Sequence, residues 1–304
     1  MWSAQPDAPS ARTEVAAAVA GGTVVVAGGL RADGGTVTTV ELFDPRTRTW
    51  SAGPPLPLPV NHAMAATAGG AVHVFGGYLA DGTPSAAAFR LEPGTAGPSA
   101  AVSAGARWRS VTDLPAGRAA GAAAAIGDKI YLAGGIGPAK DQLAESTLVY
   151  DTKADAWSTA PGVPTRREHL GGAAAGGQFY TVGGRTATGG NLPVVESYDP
   201  AGGAWTRRPD LPTARGGLAA TATCTGEVIA AGGEGQHTFP QVEMFSPATG
   251  RWRSLPPMPH PRHGLGLVTV GTTLLSLPGG PEPGLHVAGT TEALDLSFLG
   301  PCPA

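Results

Sequence analysis

Six Gly-Gly pairs, each closing an apolar run, recur along this chain at a nearly constant interval. They end VVVAGG (Gly28, Gly29), VHVFGG (Gly76, Gly77), IYLAGG (Gly134, Gly135), FYTVGG (Gly183, Gly184), VIAAGG (Gly232, Gly233) and LLSLPGG (Gly279, Gly280). Their spacings are 48, 58, 49, 49 and 47 residues. Trp2, Trp50, Trp108, Trp157, Trp205 and Trp252 keep the same beat, at 48, 58, 49, 48 and 47, and use every tryptophan in the chain. Phe43, Tyr150, Tyr198 and Phe245 stand seven residues before four of them. A period near 50 residues marks one supersecondary unit used repeatedly. It also decides how the composition is read. Glycine and proline make up 25% of the 304 residues, a level that signals disorder in an aperiodic chain. Here the glycines are periodic, and 42% hydrophobic against 14% charged residues supports a packed core.

Each unit holds an Ala/Gly-rich run, a β-branched run, a run ending in an aromatic and a run carrying tryptophan. Turn residues separate them, so each unit reads as four strands. The segments FDPRTRTW, YDTKADAW, YDPAGGAW and FSPATGRW, together with the Gly-Gly strands, resemble the kelch repeat. The likeness covers nearly the whole chain, and the bacterial single-domain kelch proteins it resembles include sialic acid mutarotases. It implies an all-β, six-bladed kelch β-propeller spanning residues 1–304, with four antiparallel strands per blade. The Ala/Gly-rich runs should lie innermost, where blades crowd at the axis, and the aromatics further out. The sixth unit lacks a tryptophan after its third strand, and Trp2 has no unit before it. The N-terminal strand is therefore expected to join the last blade beside Glu292 to Phe298 and remove a free edge. In the second unit Phe89 and Trp108 are 19 residues apart against 7 elsewhere. The 12 extra residues, around EPGTAGPSAAVSAGA, read as a flexible surface loop.

The loops after the Gly-Gly strands and those joining blades should share one face. Ten residues after each tryptophan stand Arg12, Val60, Arg118, Arg167, Arg215 and Arg262. The five arginines are expected as a positive ring at one mouth of the central funnel, suited to carboxylate, phosphate or sulfate. The competing reading is a brace on backbone carbonyls, for which kelch arginines at this point are known. Tyr78 and Arg185 join that face from the Gly-Gly loops, with Arg31, Glu234, His237, Glu282 and His286. Two positions after the arginine column come Glu14, His62 and His169, with His263 nearby. Glu14 and His62 begin adjacent inner strands, and a Glu–His pair beside arginines is a means of moving a proton. Glu14, His62 and His169 are thus the candidate catalytic residues, against the plainer reading of packing or surface groups. The ligand is expected off-axis, between His62 and Tyr78 on one side and Arg12 and Arg118 on the other. The recurring Glu41, Glu196, Glu243 and Glu292 repeat too regularly for one active site and read as structural.

A net charge of −3 without charged blocks gives no ground for generic nucleic-acid or membrane attraction. No apolar run reaches the length of a spanning helix. Cys224, read as part of an inner strand, and Cys302 in the tail make neither a disulfide framework nor a zinc site. Copper oxidases related to galactose oxidase share the repeat, but their Tyr/His/Cys cluster has no counterpart here. The seven histidines show no HxxxH spacing, so no metal and no cofactor is assigned. A metal site assembled from several blades stays open, because propellers bring distant loops together. Met1 stands one residue before a repeat tryptophan, and the start lacks signal-peptide character. The expectation is a cytoplasmic protein, with export after removal of a leader as the alternative.

Two function classes remain. The first is a small-molecule-binding propeller, acting as an isomerase or epimerase on an anionic, carboxylated, sugar-like or secondary-metabolite substrate in the funnel. The second is a non-catalytic interaction module holding an acidic peptide or partner protein, as some eukaryotic kelch adaptors do.

Overall fold

The computed structural model describes residues 1–92, 94, 102, 105–139, 141–186, 188 and 190–303. They form six four-stranded antiparallel sheets. Blade 1 is β2 (Ala16–Ala20), β3 (Thr23–Ala27), β4 (Val40–Asp44) and β5 (Thr49–Ala52); blade 2 is β6 (Met64–Ala68), β7 (Ala71–Phe75), β8 (Ala88–Glu92) and β9 (Arg107–Ser110). Blade 3 is β10 (Ala122–Ile126), β11 (Lys129–Ala133), β12 (Thr147–Asp151) and β13 (Ala156–Ala160). Blade 4 is β14 (Gly171–Ala175), β15 (Gln178–Val182), β16 (Val195–Asp199) and β17 (Ala204–Arg208). Blade 5 is β18 (Gly216–Ala222), β19 (Val228–Glu234), β20 (Val242–Ser246) and β21 (Arg251–Leu255). Blade 6 is β22 (Leu267–Val270), β23 (Thr273–Ser276), β24 (Thr291–Asp295) and the N-terminal β1 (Trp2–Gln5). The six-bladed all-β architecture matches the sequence reading, and so does its closure. Trp2 pairs with Leu294, Ser3 with Ala293, Ala4 with Glu292 and Gln5 with Thr291.

The alternation of side chains along each strand explains the packing. In β2, β6 and β14 every second residue is buried between blades, while the others line an axial channel of small residues such as Ala17, Ala65, Ala123 and Gly172. Six apolar clusters fill the spaces between neighbouring blades. One joins Val25, Val40 and Leu42 of blade 1 to Val72, Val74 and Leu91 of blade 2; another joins Leu275 and Ala293 of blade 6 to Val24, Val26 and Phe43 of blade 1. The tryptophans stand on the outer strands, and each indole N–H donates to a carbonyl in the linker entering its own blade. The acceptors are Pro256 for Trp2, Pro6 for Trp50, Pro54 for Trp108, Thr112 for Trp157, Pro161 for Trp205 and Pro209 for Trp252. This repeated bond accounts for the tryptophan beat.

The Gly-Gly pairs have an equally local cause. Gly77 donates its N–H to the carbonyl of Arg118 in the next blade at 2.8 Å. A Cβ on Gly76 would sit 2.1 Å from that same oxygen, and both glycines have positive φ. Only glycine lets two backbones approach this closely in that conformation. In blade 6 the motif is offset by one residue. Leu274 pairs with Leu294 as Val24 pairs with Phe43, so Pro278-Gly279 takes the Gly-Gly place.

Two readings need correction. In blade 2 the residue opposite Trp108 is Leu91, not Phe89, so the insertion is ten residues, not twelve. Apolar character, rather than an aromatic ring, is what that position requires. The expected flexible loop around residues 92–106 lies largely outside the described residues. Cys224 is not in an inner strand; it follows β18 in a turn and forms a disulfide with Cys302 across 78 residues of sequence. The propeller brings the tail beside the lower hairpin of blade 5, which spacing along the chain could not reveal. Cross-linking constrains the unfolded chain, and native disulfides typically contribute 2–4 kcal/mol. Because the tail adds few contacts of its own, Cys302→Ser is expected to cost about 2 kcal/mol, or roughly 3 °C in melting temperature. A reducing agent should lower the unmodified protein's melting temperature by the same amount and leave the variant's unchanged.

Candidate functional site

The arginine column does not form an exposed positive ring. Arg12, Arg118, Arg167, Arg215 and Arg262 are 0–5% exposed, and their guanidinium groups run into the blades. Arg12 pairs with Glu41 at 2.8 Å, Arg167 with Glu196 at 2.6 Å and Arg215 with Glu243 at 2.9 Å. Arg262 pairs with Glu292. Each arginine also donates to backbone carbonyls. Arg167 reaches those of Gly183 at 2.6 Å and Thr165 at 2.7 Å, and Arg12 reaches that of Thr39 at 3.0 Å. In blade 3 Leu148 takes the strand position that carries glutamate in blades 1, 4, 5 and 6, and Arg118 bonds the Ser146 carbonyl at 2.8 Å. Burial lowers the Arg118 guanidinium to about 10. In blade 2 both columns turn apolar, and Val60 packs in one cluster with Phe89. The arginines are therefore braces, and the recurring glutamates are their counter-ions. An off-axis ligand held by Arg12 and Arg118 has no exposed guanidinium to meet there.

Two positions further on, the geometry is different in kind. Glu14, His62, Ala120 and His169 have φ of 54, 52, 53 and 53°, and Gly217 and Gly264 complete the column at 67 and 54°. This left-handed turn aims each N–H at the carbonyl of the preceding blade. His62 N–H donates to Glu14, Ala120 to His62, His169 to Ala120, Gly217 to His169 and Gly264 to Gly217; the Val15 N–H closes the circle on Gly264. Four of the six residues are not glycine and bear a cost of about 1 kcal/mol each. Backbone strain of this kind collects at functional sites.

The three predicted catalytic residues do come together. His62 Nε2 lies 3.2 Å from Glu14 Oε2, and the His62 and His169 rings meet edge to face at 4.8 Å. They line a small axial well of about 100 Å³. Burial and neighbouring His169 push His62 down to about 4 against the pull of Glu14. Burial alone would raise the Glu14 carboxyl, but His62, His263 and His169 together hold it well below the usual carboxylate range. His263, buried, lies 3.2 Å from Glu14 Oε1 and 3.6 Å from Glu234 Oε2.

Above the well opens a wider cup of about 780 Å³, lined by Tyr78, Ile136, Asp141, Glu168, Arg185, Thr186, Asn191, Glu234, Gly235 and Gln236. Arg185 is the one predicted ligand-binding arginine that faces it. It bridges Glu168 at 2.9 Å and Glu234 at 2.8 Å. Tyr78 packs edge-on against His62 at 5.4 Å. Among the described residues, three carboxylates and one guanidinium line the cup, a balance opposite in sign to the expected ring.

Glu168 and Asp141 were not singled out from the sequence. Glu168 belongs to the column between the arginines and the left-handed turn, with Thr13, Asn61, Ala119 and His263. That column forms single β-bridges with the Gly-Gly loops: Thr13 with Leu30, Asn61 with Tyr78, Ala119 with Ile136, Glu168 with Arg185 and His263 with Gly280. Reading it as a third register would have found Glu168. Asp141 lies in a loop with no repeat to mark it.

Comparison with known proteins agrees with this architecture. The family described as "KLHDC2/KLHL20/DRC7 Kelch-repeats domain" matches residues 61–280, and "Kelch motif" matches residues 11–57. Similar curated proteins include the human "Kelch repeat and BTB domain-containing protein 13", 31% identical over 38% of this chain and 26% of that protein. The human "Kelch-like protein 34" is 33% identical over 42% of this chain and 21% of its own length. "Kelch-like protein terF" of Aspergillus terreus (strain NIH 2624 / FGSC A1156) is 32% identical over 44% and 31% respectively. The matched segments span less than a third of these relatives.

Proposed function

We propose, starting from the fact that this chain belongs to the kelch-repeat family, that the propeller is an interaction module whose upper cup receives a cationic segment of a partner protein. The carrying observation is the sign of the charge at the cup. Among the described residues, Asp141, Glu168 and Glu234 line it, with Arg185 as the opposing charge. The arginines that suggested an anionic partner are spent inside the blades. Complementary charge sets partner choice and association rate more than raw affinity. The matched repeat region is less than a third of each relative, and one relative's name pairs it with a BTB domain. That supports reading the repeat as a binding part.

The test is fluorescence anisotropy with short lysine- and arginine-rich peptides against glutamate-rich ones of equal length. Basic peptides should bind, and binding should weaken as salt rises. Charge-assisted contacts contribute about 1.5–3 kcal/mol, so Asp141→Asn and Glu234→Gln should each weaken binding roughly tenfold. Tighter capture of acidic peptides would reverse the proposal.

One observation favours a second reading, isomerase-type proton transfer on an anionic small molecule: the Glu14–His62 contact at 3.2 Å. A thermal-shift screen of carboxylated and phosphorylated metabolites tests it, and a set without any stabilising compound would remove it. The disulfide supports an oxidising compartment, and so the exported alternative, since such bonds persist there. Two free thiols in protein extracted under thiol-blocking conditions would count against that.

A further inference from the structure

We propose that Glu14, His62 and His169 hold one divalent transition-metal ion, zinc by the nature of the donors, at the floor of the cup. The three residues come from three different blade joints, and one ligand atom from each lies within 4.8 Å of the others. Two imidazoles and a carboxylate are a donor set suited to zinc. About a tetrahedral zinc, ligand atoms stand roughly 3.3 Å apart. His62 Nε2 and Glu14 Oε2 are already 3.2 Å apart, and His169 needs only a small side-chain adjustment.

The groups behind the ligands strengthen the case. Asn61 donates its side-chain N–H to Thr36 Oγ1 at 2.9 Å, which fixes its oxygen toward His62 Nδ1 at 2.5 Å. The His62 proton therefore sits on Nδ1, and Nε2 presents a lone pair to the well. Glu168, an acceptor only, takes the Nδ1 proton of His169 and leaves that ring's Nε2 bare as well. Histidines that ligate metals are oriented in this way, with the other nitrogen bonded to a carboxylate or amide oxygen. His62 Nε2 and Glu14 Oε2 are then two acceptors facing each other, a contact that calls for a cation between them. Ala120, Gly217 and Gly264 complete the ring of positions. With no side-chain donor there, further coordination sites are open to water or to a donor from a bound partner.

The backbone supplies an independent argument. All six positions adopt the left-handed conformation, for which glycine is the unstrained choice. Blades 5 and 6 use glycine and blade 3 uses alanine; blades 1, 2 and 4 instead place Glu14, His62 and His169 there. A packing role does not require three polar side chains at those positions. A ligand set does.

The experiment uses the full chain, stripped with chelator and titrated with zinc alone by calorimetry. One equivalent should bind with micromolar affinity or better and raise the melting temperature. Cobalt in its place should give the visible absorption of nitrogen and oxygen coordination. His62→Gly and His169→Gly adopt the residue that blades 5 and 6 carry, so both should fold with a retained or raised metal-free melting temperature. Their combination should weaken zinc binding at least 100-fold. Asn61→Ala and Glu168→Gln, which orient the ligands without touching the ion, should each weaken it 10- to 100-fold. Failure of the unmodified protein to bind zinc stoichiometrically would overturn the proposal. So would undiminished binding by the double glycine variant, which would put the ion elsewhere. Peptide capture by Asp141 and Glu234 can succeed or fail independently of this result.

Discussion

Removing residues 1–7 is expected to lower the melting temperature by about 8 °C. The deletion strips β1 from β24 and with it all four paired residues of the outer strand of blade 6. It removes Trp2, partly buried against the cluster between blades 5 and 6, and its hydrogen bond to Pro256. It also takes the Ala4 and Pro6 carbonyls that Arg48 and Trp50 use to hold blade 1. Ladder and indole hydrogen bonds at about 0.5–1.5 kcal/mol each, added to partial loss of a tryptophan's burial, amount to about 5 kcal/mol. The exposed Thr291–Asp295 edge should also promote association, since unpaired strand edges template it. Calorimetry and light scattering on the shortened chain check both effects. An unchanged melting temperature would mean that β1 does not lock the ring.

The second large effect concerns a buried ion pair. Arg167→Val leaves Glu196, 3% exposed, without its counter-charge, and such single removals cost about 3–5 kcal/mol. The expected fall in melting temperature is about 6 °C. Adding Glu196→Phe recreates the apolar pair that blade 2 carries as Val60 and Phe89, and should restore at least half of the loss. Arg118→Val should cost less than Arg167→Val, because Leu148 leaves no carboxylate stranded. Denaturant titration of the four proteins decides it. If Arg167→Val were as stable as the parent, the arginine column would need another purpose than bracing.

The two predictions rest on features of unequal legibility. Blade number, strand order and closure were readable because each rests on a bond or contact repeated in every blade, such as the indole-to-carbonyl bond or the Gly-Gly approach. Repetition turns a weak local signal into a register. The arginine and glutamate columns were equally visible, yet their relation was not. They stand 28 to 30 residues apart in sequence and meet only because the third strand folds back beside the second. The one cue was that blade 2 lacks both members. The upper site was legible where it followed a column, as at Glu14, His62 and His169. It was not where a single loop residue such as Asp141 was added to the frame. The disulfide was invisible for a related reason: Cys224 and Cys302 each occur once, outside any repeat.

That disulfide also sets how the molecule would bear load. Tension applied between Met1 and Cys302 does not run through the whole chain. It leaves the tail through the sulfur bridge and enters the backbone at Cys224. The stretch between the two cysteines, which carries three strands of blade 5 and three of blade 6, is bypassed. The force would peel β1 from its neighbour one residue pair at a time, beginning at Trp2 and Leu294. Blades 1 to 4 could then be drawn out while the bridged segment stayed slack, so the measured extension would fall short of the contour length by that segment.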